Sequence, residues 1–455
     1  MNRIRNSGRE TKLPRIAAAS LLTASALALA SCDSNGGDPR KQIGANPVLP
    51  AVQQYLIPPI RIARPLPWGN DTPKVPQGLQ VHALATGFQH PRSLYVLPNG
   101  DVLVVESNGP KAPVFRPKDI ITGWVQWFAG AKAKDANRIT LLRDTKGDGT
   151  PDVRSVFLDN LTSPFGVALV GHYLYVADTD AIIRYPYEDG ETKITAPGVK
   201  LTDLPGGPID HHWTKSLVAS PDGTKLYVGV GSNSNIAENG MEAERERAAI
   251  WEVDIKTGAH RIYASGTRNP TGLQFEPETG KLWAIANERD EIGPDLVPDY
   301  MTSVQDGGFY GWPYSYYGQH LDPRVQPQRP DLVAKAIAPD YSLSSHVAPL
   351  GFAIYTGNGL PAKYKGGAFV SEHGSWDRTP FNGYKVVFVP FTNGKPSGMA
   401  QDVVIGFLDA DSRTHGRPVG LAVDRSGALL IADDVGNTVW RVSSASAAPT
   451  PKPAS

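Results

Sequence analysis

Six times along this chain an apolar strand, a turn holding Gly or Asp, and a second apolar strand follow one another. The first unit reads Ser93-Leu94-Tyr95-Val96, Asn99-Gly100, Val102-Leu103-Val104-Val105. The last reads Gly420-Leu421-Ala422-Val423, Ser426-Gly427, Leu429-Leu430-Ile431. Strands joined by Gly-containing turns are the mark of β-hairpins. With anchors at Leu94, Val167, Leu217, Leu273, Phe352 and Leu421, the gaps are 73, 50, 56, 79 and 69 residues. A four-stranded propeller blade takes roughly 40–50 residues, so each gap fits one blade and a loop. The expectation is an all-β, six-bladed β-propeller with four-stranded antiparallel blades. Leu79-Gln80-Val81-His82-Ala83-Leu84 is placed to complete the last blade and close the ring. A pair of β-sandwiches is the competing architecture, and six similar units favour radial symmetry over it.

A chain of 455 residues is too long for one ordinary domain unless that domain is repetitive. With 45 basic and 45 acidic residues the formal charge is zero, so nothing indicates a nucleic-acid partner. Cys32 is the single cysteine. It leaves no internal disulfide, no zinc cluster and no haem-attachment motif. Arg3, Arg5, Arg9, Lys12 and Arg15 precede an apolar stretch, residues 16–30, with the length of a signal-peptide core. That stretch runs into Leu29-Ala30-Ser31-Cys32, which resembles the bacterial lipobox, whose cysteine is acylated. The expected order is a lipoprotein signal at 1–31 and the lipidated Cys32 with a tether to residue 75. A propeller at 76–443 and a disordered tail at 444–455 follow. The expected location is the periplasmic side of a bacterial membrane.

Function lives in sites and not in folds, so the polar residues at strand ends matter most. The stretches 108–138 and 289–348 are long enough to be functional loops. The most specific sequences are Asp210-His211-His212-Trp213-Thr214-Lys215-Ser216-Leu217, Thr267-Arg268-Asn269-Pro270, Asn287-Glu288-Arg289-Asp290, Glu372-His373-Gly374-Ser375-Trp376-Asp377-Arg378 and Arg413-Thr414-His415-Gly416-Arg417-Pro418. Each adjoins a repeat anchor or follows a strand, where propeller loops converge. Arg268, Arg289, Arg378 and Arg417 point to an anionic ligand with several carboxylates or phosphates, since guanidinium binds such groups in pairs of hydrogen bonds.

Together with Gly307-Gly308-Phe309-Tyr310-Gly311-Trp312-Pro313, this ordered set resembles the soluble quinoprotein glucose and aldose dehydrogenases over residues 78–443. L-Sorbosone dehydrogenases match best. The resemblance implies two cofactors: pyrroloquinoline quinone (PQQ), a planar tricarboxylate, and calcium (Ca2+), which polarises a quinone carbonyl. It implies that His212 is the general base, with His211 as the alternative. It implies that Arg268 stabilises charge on the quinone oxygen. Asn269, Glu288, Trp376, Arg378, His415 and Arg417 then contact the cofactor, and Arg289 and Asp290 lie at the calcium. The glucose enzymes more often carry Lys where this chain has Arg378 and Arg417, Arg where it has His415, and Gln-Gly-Pro where it has Glu288-Arg289-Asp290. The implied activity is oxidation of a sugar or sugar aldehyde. Electrons pass to an external acceptor, a quinone or cytochrome.

Asp144, Asp148 and Asp152, with Gly149 at the sixth position, make a second candidate ion loop. Lys146 at a ligand position and Ser155 at the twelfth equally fit a plain Asp-Gly turn. Two other function classes stay open on sequence grounds. A calcium-dependent propeller hydrolase of the lactonase type has no use for several convergent arginines. A propeller that only binds partners has no use for His212 and Arg268.

Overall fold

A computed structural model of the chain describes residues 36–53, 60–110 and 136–445. Cys32, the signal and most of the 108–138 loop lie outside the described residues. Six blades follow, each built on four antiparallel strands, with Gly308–Phe309 adding a fifth, parallel strand beside Ala264 and Ser265 of blade 3. Blade 1 comprises Pro91–Val96, Val102–Glu106, Arg138–Arg143 and Val153–Leu158. Blade 2 comprises Gly166–Val170, Tyr173–Ala177, Ala181–Pro186 and Val199–Asp203. Blade 3 comprises Leu217–Ala219, Lys225–Val230, Ala249–Asp254 and His260–Ser265. Blade 4 comprises Asn269–Phe275, Leu282–Asn287, Pro298–Ser303 and Tyr341–Ser345. Blade 5 comprises Pro349–Ile354, Ala368–Glu372, Lys385–Val389 and Gln401–Val404. Blade 6 comprises Pro418–Val423, Leu429–Asp433 and Thr438–Ser444. Leu79–Thr86 supplies its outer strand, pairing Leu79 with Ser444 and Thr86 with Thr438, so the ring closes as the repeats imply.

The apolar residues of these strands meet between blades. Leu103 and Val105 of blade 1 pack on Val167 and Val176 of blade 2. Trp283 and Ile285 of blade 4 meet Val370 and Val387 of blade 5. Leu430 and Ala432 of blade 6 meet Leu94 and Val104 of blade 1. Burying each large aliphatic side chain stabilises the fold by roughly 1.5–3 kcal/mol, so every junction contributes to holding the ring. Side-chain hydrogen bonds stitch the same junctions near one face. Ser107 donates to Pro164 O, Thr179 to Asp210, Ser216 to Pro270 O and Thr271 to Pro349 O. Ser371 donates to Val419 O, and Arg92 to Asp434. The innermost strands start at this face and run away from it around a central cavity of about 450 Å³. They approach so closely that a Cβ on Gly351 would collide with the Val419 carbonyl.

The chain ahead of the propeller, expected as an extended tether with some ordered contacts, is strapped across blades 4 to 6. Ile43–Gly44 adds a fifth strand to blade 4 beside Leu343 and Ser342. Gln42 binds Asp295 O, Ser344 and Ser345. Farther on, Arg64–Pro65 pairs with Arg413–Thr414, and buried Trp68 donates to Asp433 at 2.7 Å. No helix among the described residues is long and apolar enough to cross a membrane.

Candidate active site at the channel mouth

His212 lies on the loop that enters the inner strand of blade 3. Its Nδ1 is 3.0 Å from Ser232 O and 2.9 Å from Ser232 Oγ. A proton on Nδ1 donated to that carbonyl leaves the lone pair on Nε2, the form a base needs. Burial, then Arg268 and His211, hold the imidazole well below its usual pKa. Gly231 makes room for it: a Cβ there would collide with His212 and come within 2.6 Å of Asn269 Oδ1. His211 is exposed, its ring 5.6 Å from that of His212.

Arg268 and Asn269 open the inner strand of blade 4. Arg268 is buried, takes a left-handed φ of 33°, and donates to Glu288 O at 2.6 Å, Asn235 Oδ1 at 2.9 Å and Asp290 Oδ2 at 3.0 Å. Asn269 Oδ1 is buried with no hydrogen-bond partner. Burial pushes the Glu288 carboxyl up to about 8 even with Arg268 near it. The Arg289 side chain turns away to pair with Asp322 at 2.7 Å, leaving Asp290 to face the site.

Asp290 belongs to a cluster that the sequence reading missed. His346 Nδ1 lies 3.3 Å from Asp290 Oδ1 and 3.4 Å from Asp377 Oδ1. The three donor atoms lie within 4.8 Å of one another, a spacing that suits one metal ion. His346 Nε2 is 3.0 Å from Gly293 O, and such an outer hydrogen bond orients a ligating imidazole. Asp377 Oδ1 is buried and accepts no hydrogen bond. Burial works against charge on His346, but Asp377 and Asp290 outweigh it and raise the imidazole to about 10. Asp377 is itself pushed up by burial. Asp299 is pushed up to about 7 by burial.

A third group gathers from blades 5, 6 and 1. Asp434 is held below its ordinary range, against its burial, by His373, His90 and Arg92. Its closest His373 contact is 3.0 Å. Burial depresses His373 to about 4 although Asp434 opposes this. Arg417 is buried, donates to Tyr384 OH at 3.0 Å and leaves Nε without a partner.

Arg378, His415 and Trp376, the other expected cofactor contacts, each have partners within the protein, though Arg378 Nε has none. Arg378 is fully buried and donates to Pro294 O and Ser345 Oγ at 2.7 Å and to Gly37 O at 2.7 Å, while pairing with Asp295. It clamps the strap to the propeller. His415 stacks on Trp68 with ring centroids 5.0 Å apart. Trp376 is half-buried, and its carbonyl receives Arg61 N at 2.7 Å. In the 144–152 loop, Asp144 accepts backbone amides from Gly147 at 2.8 Å and Gly149 at 2.6 Å, and Asp152 accepts from Thr145. A signal for the missed residues was present in the sequence. His90-Pro91, Arg268-Asn269-Pro270, His346-Val347-Ala348-Pro349 and Arg417-Pro418 each place a cationic or basic side chain just before the proline that opens an inner strand.

Residues 173–373 match the family model Glucose / Sorbosone dehydrogenase, and residues 327–445 match a model described as TrAA12-like. An uncharacterized protein of Borreliella burgdorferi is 28% identical over 294 residues, covering 62% of this chain and 76% of its own. The holo form of the pyranose dehydrogenase PQQ domain from Coprinopsis cinerea superposes with a TM-score of 0.65 at 20% identity, covering 82% of this chain and 97% of that one. The calcium structure of a Trichoderma reesei carbohydrate-active enzyme of family AA12 gives 0.66 at 19% identity, with 82% and 97% coverage. At these identities the two structures establish the fold.

Proposed function

We propose that this chain is a PQQ- and calcium-dependent dehydrogenase of a sugar or sugar aldehyde, of the sorbosone or aldose type, with His212 as its general base. The observation that carries the reading is His212 itself. It is held through Nδ1, kept neutral by burial and by Arg268, and set beside buried polar groups that want a ligand. PQQ, when bound, is the hydride acceptor. His212 Nε2 removes the proton from the substrate hydroxyl, a role worth typically 10²–10⁴-fold in rate. Arg268 lends positive charge where negative charge develops, and this is effective because the group is fixed in advance.

The site fits the cofactor's chemistry. Asn269 Oδ1 and the Nε atoms of Arg92 and Arg417 are buried without partners, and a tricarboxylate with ring carbonyls offers partners to the guanidinium groups. Arg92 and Arg417 join Arg378, whose Nε is likewise buried without a partner, as the groups for its carboxylates. Asp290 and Asp377 supply oxygen donors of the kind calcium prefers. His346 is the third donor atom of that cluster, and a cation there competes with its proton.

The experiment is dye reduction by signal-free protein reconstituted with PQQ and Ca2+, against a panel of aldoses, sorbosone and lactones. The reading predicts reduction that requires PQQ. Lactone hydrolysis without dye reduction would transfer the site to the hydrolase class.

A further inference from the structure

We propose that the strap is the outer support of the Asp290–His346–Asp377 cluster, and that Gln42 is a positioning residue that sets the affinity of the cluster for a metal ion. The proposal rests on the reading of that cluster as a calcium site and deepens it, to what holds the donors in place. The donors sit on three separate segments, residues 290–295, 344–346 and 377–379. The strap binds all three. Gly37 N donates to Asp295 Oδ2 at 2.6 Å, and Gln42 Nε2 to Asp295 O at 2.5 Å. Gln42 Oε1 accepts from Ser345 N at 3.1 Å and from Ser344 Oγ at 3.2 Å. Gly36 N donates to Thr379 O at 2.6 Å, and Gly37 O accepts from Arg378 Nη2 at 2.7 Å.

Both ends of the Gln42 amide are therefore used, one on each of the first two segments. Gln42 is 4% exposed, so water does not readily replace these bonds. The path from Gln42 to the donors is short. Ser345 precedes His346, and its Oγ donates to Pro294 O at 3.0 Å, next to the Gly293 carbonyl that orients the His346 ring.

The segments need such support. Asp290 and Asp377 are two carboxyls held 3.3 and 3.4 Å from one imidazole. Ser344 and His346 take left-handed φ values of 84° and 58°, which persist only where the surroundings over-determine them. Donors fixed before the ion arrives bind it more tightly, because less ordering opposes binding. Gly36 lets the strap lie close, since a Cβ there would come within 2.6 Å of the buried Arg378 Cζ. A strap that only stabilised the fold would lower the melting temperature with and without calcium alike and leave the affinity unchanged.

The test is calorimetric titration of Ca2+ into the chelator-treated full chain and into four variants, with a thermal melt of each. Loss of the titration in Asp377→Asn identifies the site. Gln42→Met keeps the length of the side chain and removes its three hydrogen bonds. Its Kd for Ca2+ should rise about tenfold, the lower end of what loss of an outer partner costs a metal site. Gly36→Ala disturbs the same strap through Arg378 and should raise the Kd as well, which keeps the proposal testable should Gln42→Met fail to fold. Lys41→Ala, at an exposed neighbour of Gln42, should leave the Kd unchanged. A parent Kd in folded Gln42→Met, with the titration lost in Asp377→Asn, keeps the metal site and rejects the role of the strap. A parent chain that binds no Ca2+, or an Asp377→Asn variant that binds it as the parent does, rejects both.

Discussion

As the proposed base, His212 is constrained by three neighbours at once. Ser232 fixes the tautomer, Gly231 gives it space, and Arg268 helps to keep it unprotonated. Gly231→Ala should therefore displace His212 and Asn269 and lower kcat sharply. The overpacking should cost about 1–3 kcal/mol of stability, so a thermal melt run beside the assay separates lost activity from lost fold. Arg268→Gln removes a cation that depresses His212. The imidazole pKa should rise, and the acid limb of the kcat/KM profile should move to higher pH, while Arg268→Lys should leave the limb in place. At this scale the sequence was only partly legible. His212, Arg268 and Asn269 stand out in the sequence because they sit in short ordered motifs. His346 was missed because its partners, Asp290 and Asp377, are 56 and 31 residues away and meet it only when blades 4 and 5 close.

The element that changes most between expectation and structure is the strap. Its prolines and glycines read as a tether, yet they leave Gln42, Arg61 and Trp68 free to seek partners in the propeller. Trp68 covers the Asp433 carboxyl, stacks on His415 and meets Trp440 edge to face. Trp68→Ala should cost about 3–5 kcal/mol of unfolding free energy, the range for a buried aromatic, which denaturant melts would measure. The blades themselves were legible because each hairpin carries its own alternation and turn. The strap was not, because its partners are long-range and its short pairings, Ile43–Gly44 and Arg64–Pro65, carry no periodicity.

Around the whole mouth, buried carboxyls set the response of the molecule to pH. Burial raises Glu288 to about 8 and Asp299 to about 7, and pushes Asp377 up as well. Each binds its proton more tightly folded than unfolded. Their stabilising contribution is full below the ordinary carboxyl value of about 4 and is lost as pH rises through the folded values. His346, raised to about 10, acts in the same direction at higher pH. Depressed His212 and His373 act the other way below about pH 6.5, so the clean window lies above it, and cation-free protein should melt at progressively lower temperature from about pH 6.5 to pH 8. Calcium should restore the loss at the upper end, by about 2.7 kcal/mol at a hundredfold excess over its Kd. Scanning calorimetry with chelator and with calcium reads both effects. The most direct test of the oxidoreductase reading is the rate at which substrate reduces PQQ bound to the protein, followed by cofactor absorbance in a single turnover. His212→Ala should bind PQQ as the parent does and reduce it about 10²–10⁴-fold more slowly. An unchanged rate in the variant, or no PQQ absorbance change in the parent, would contradict the account.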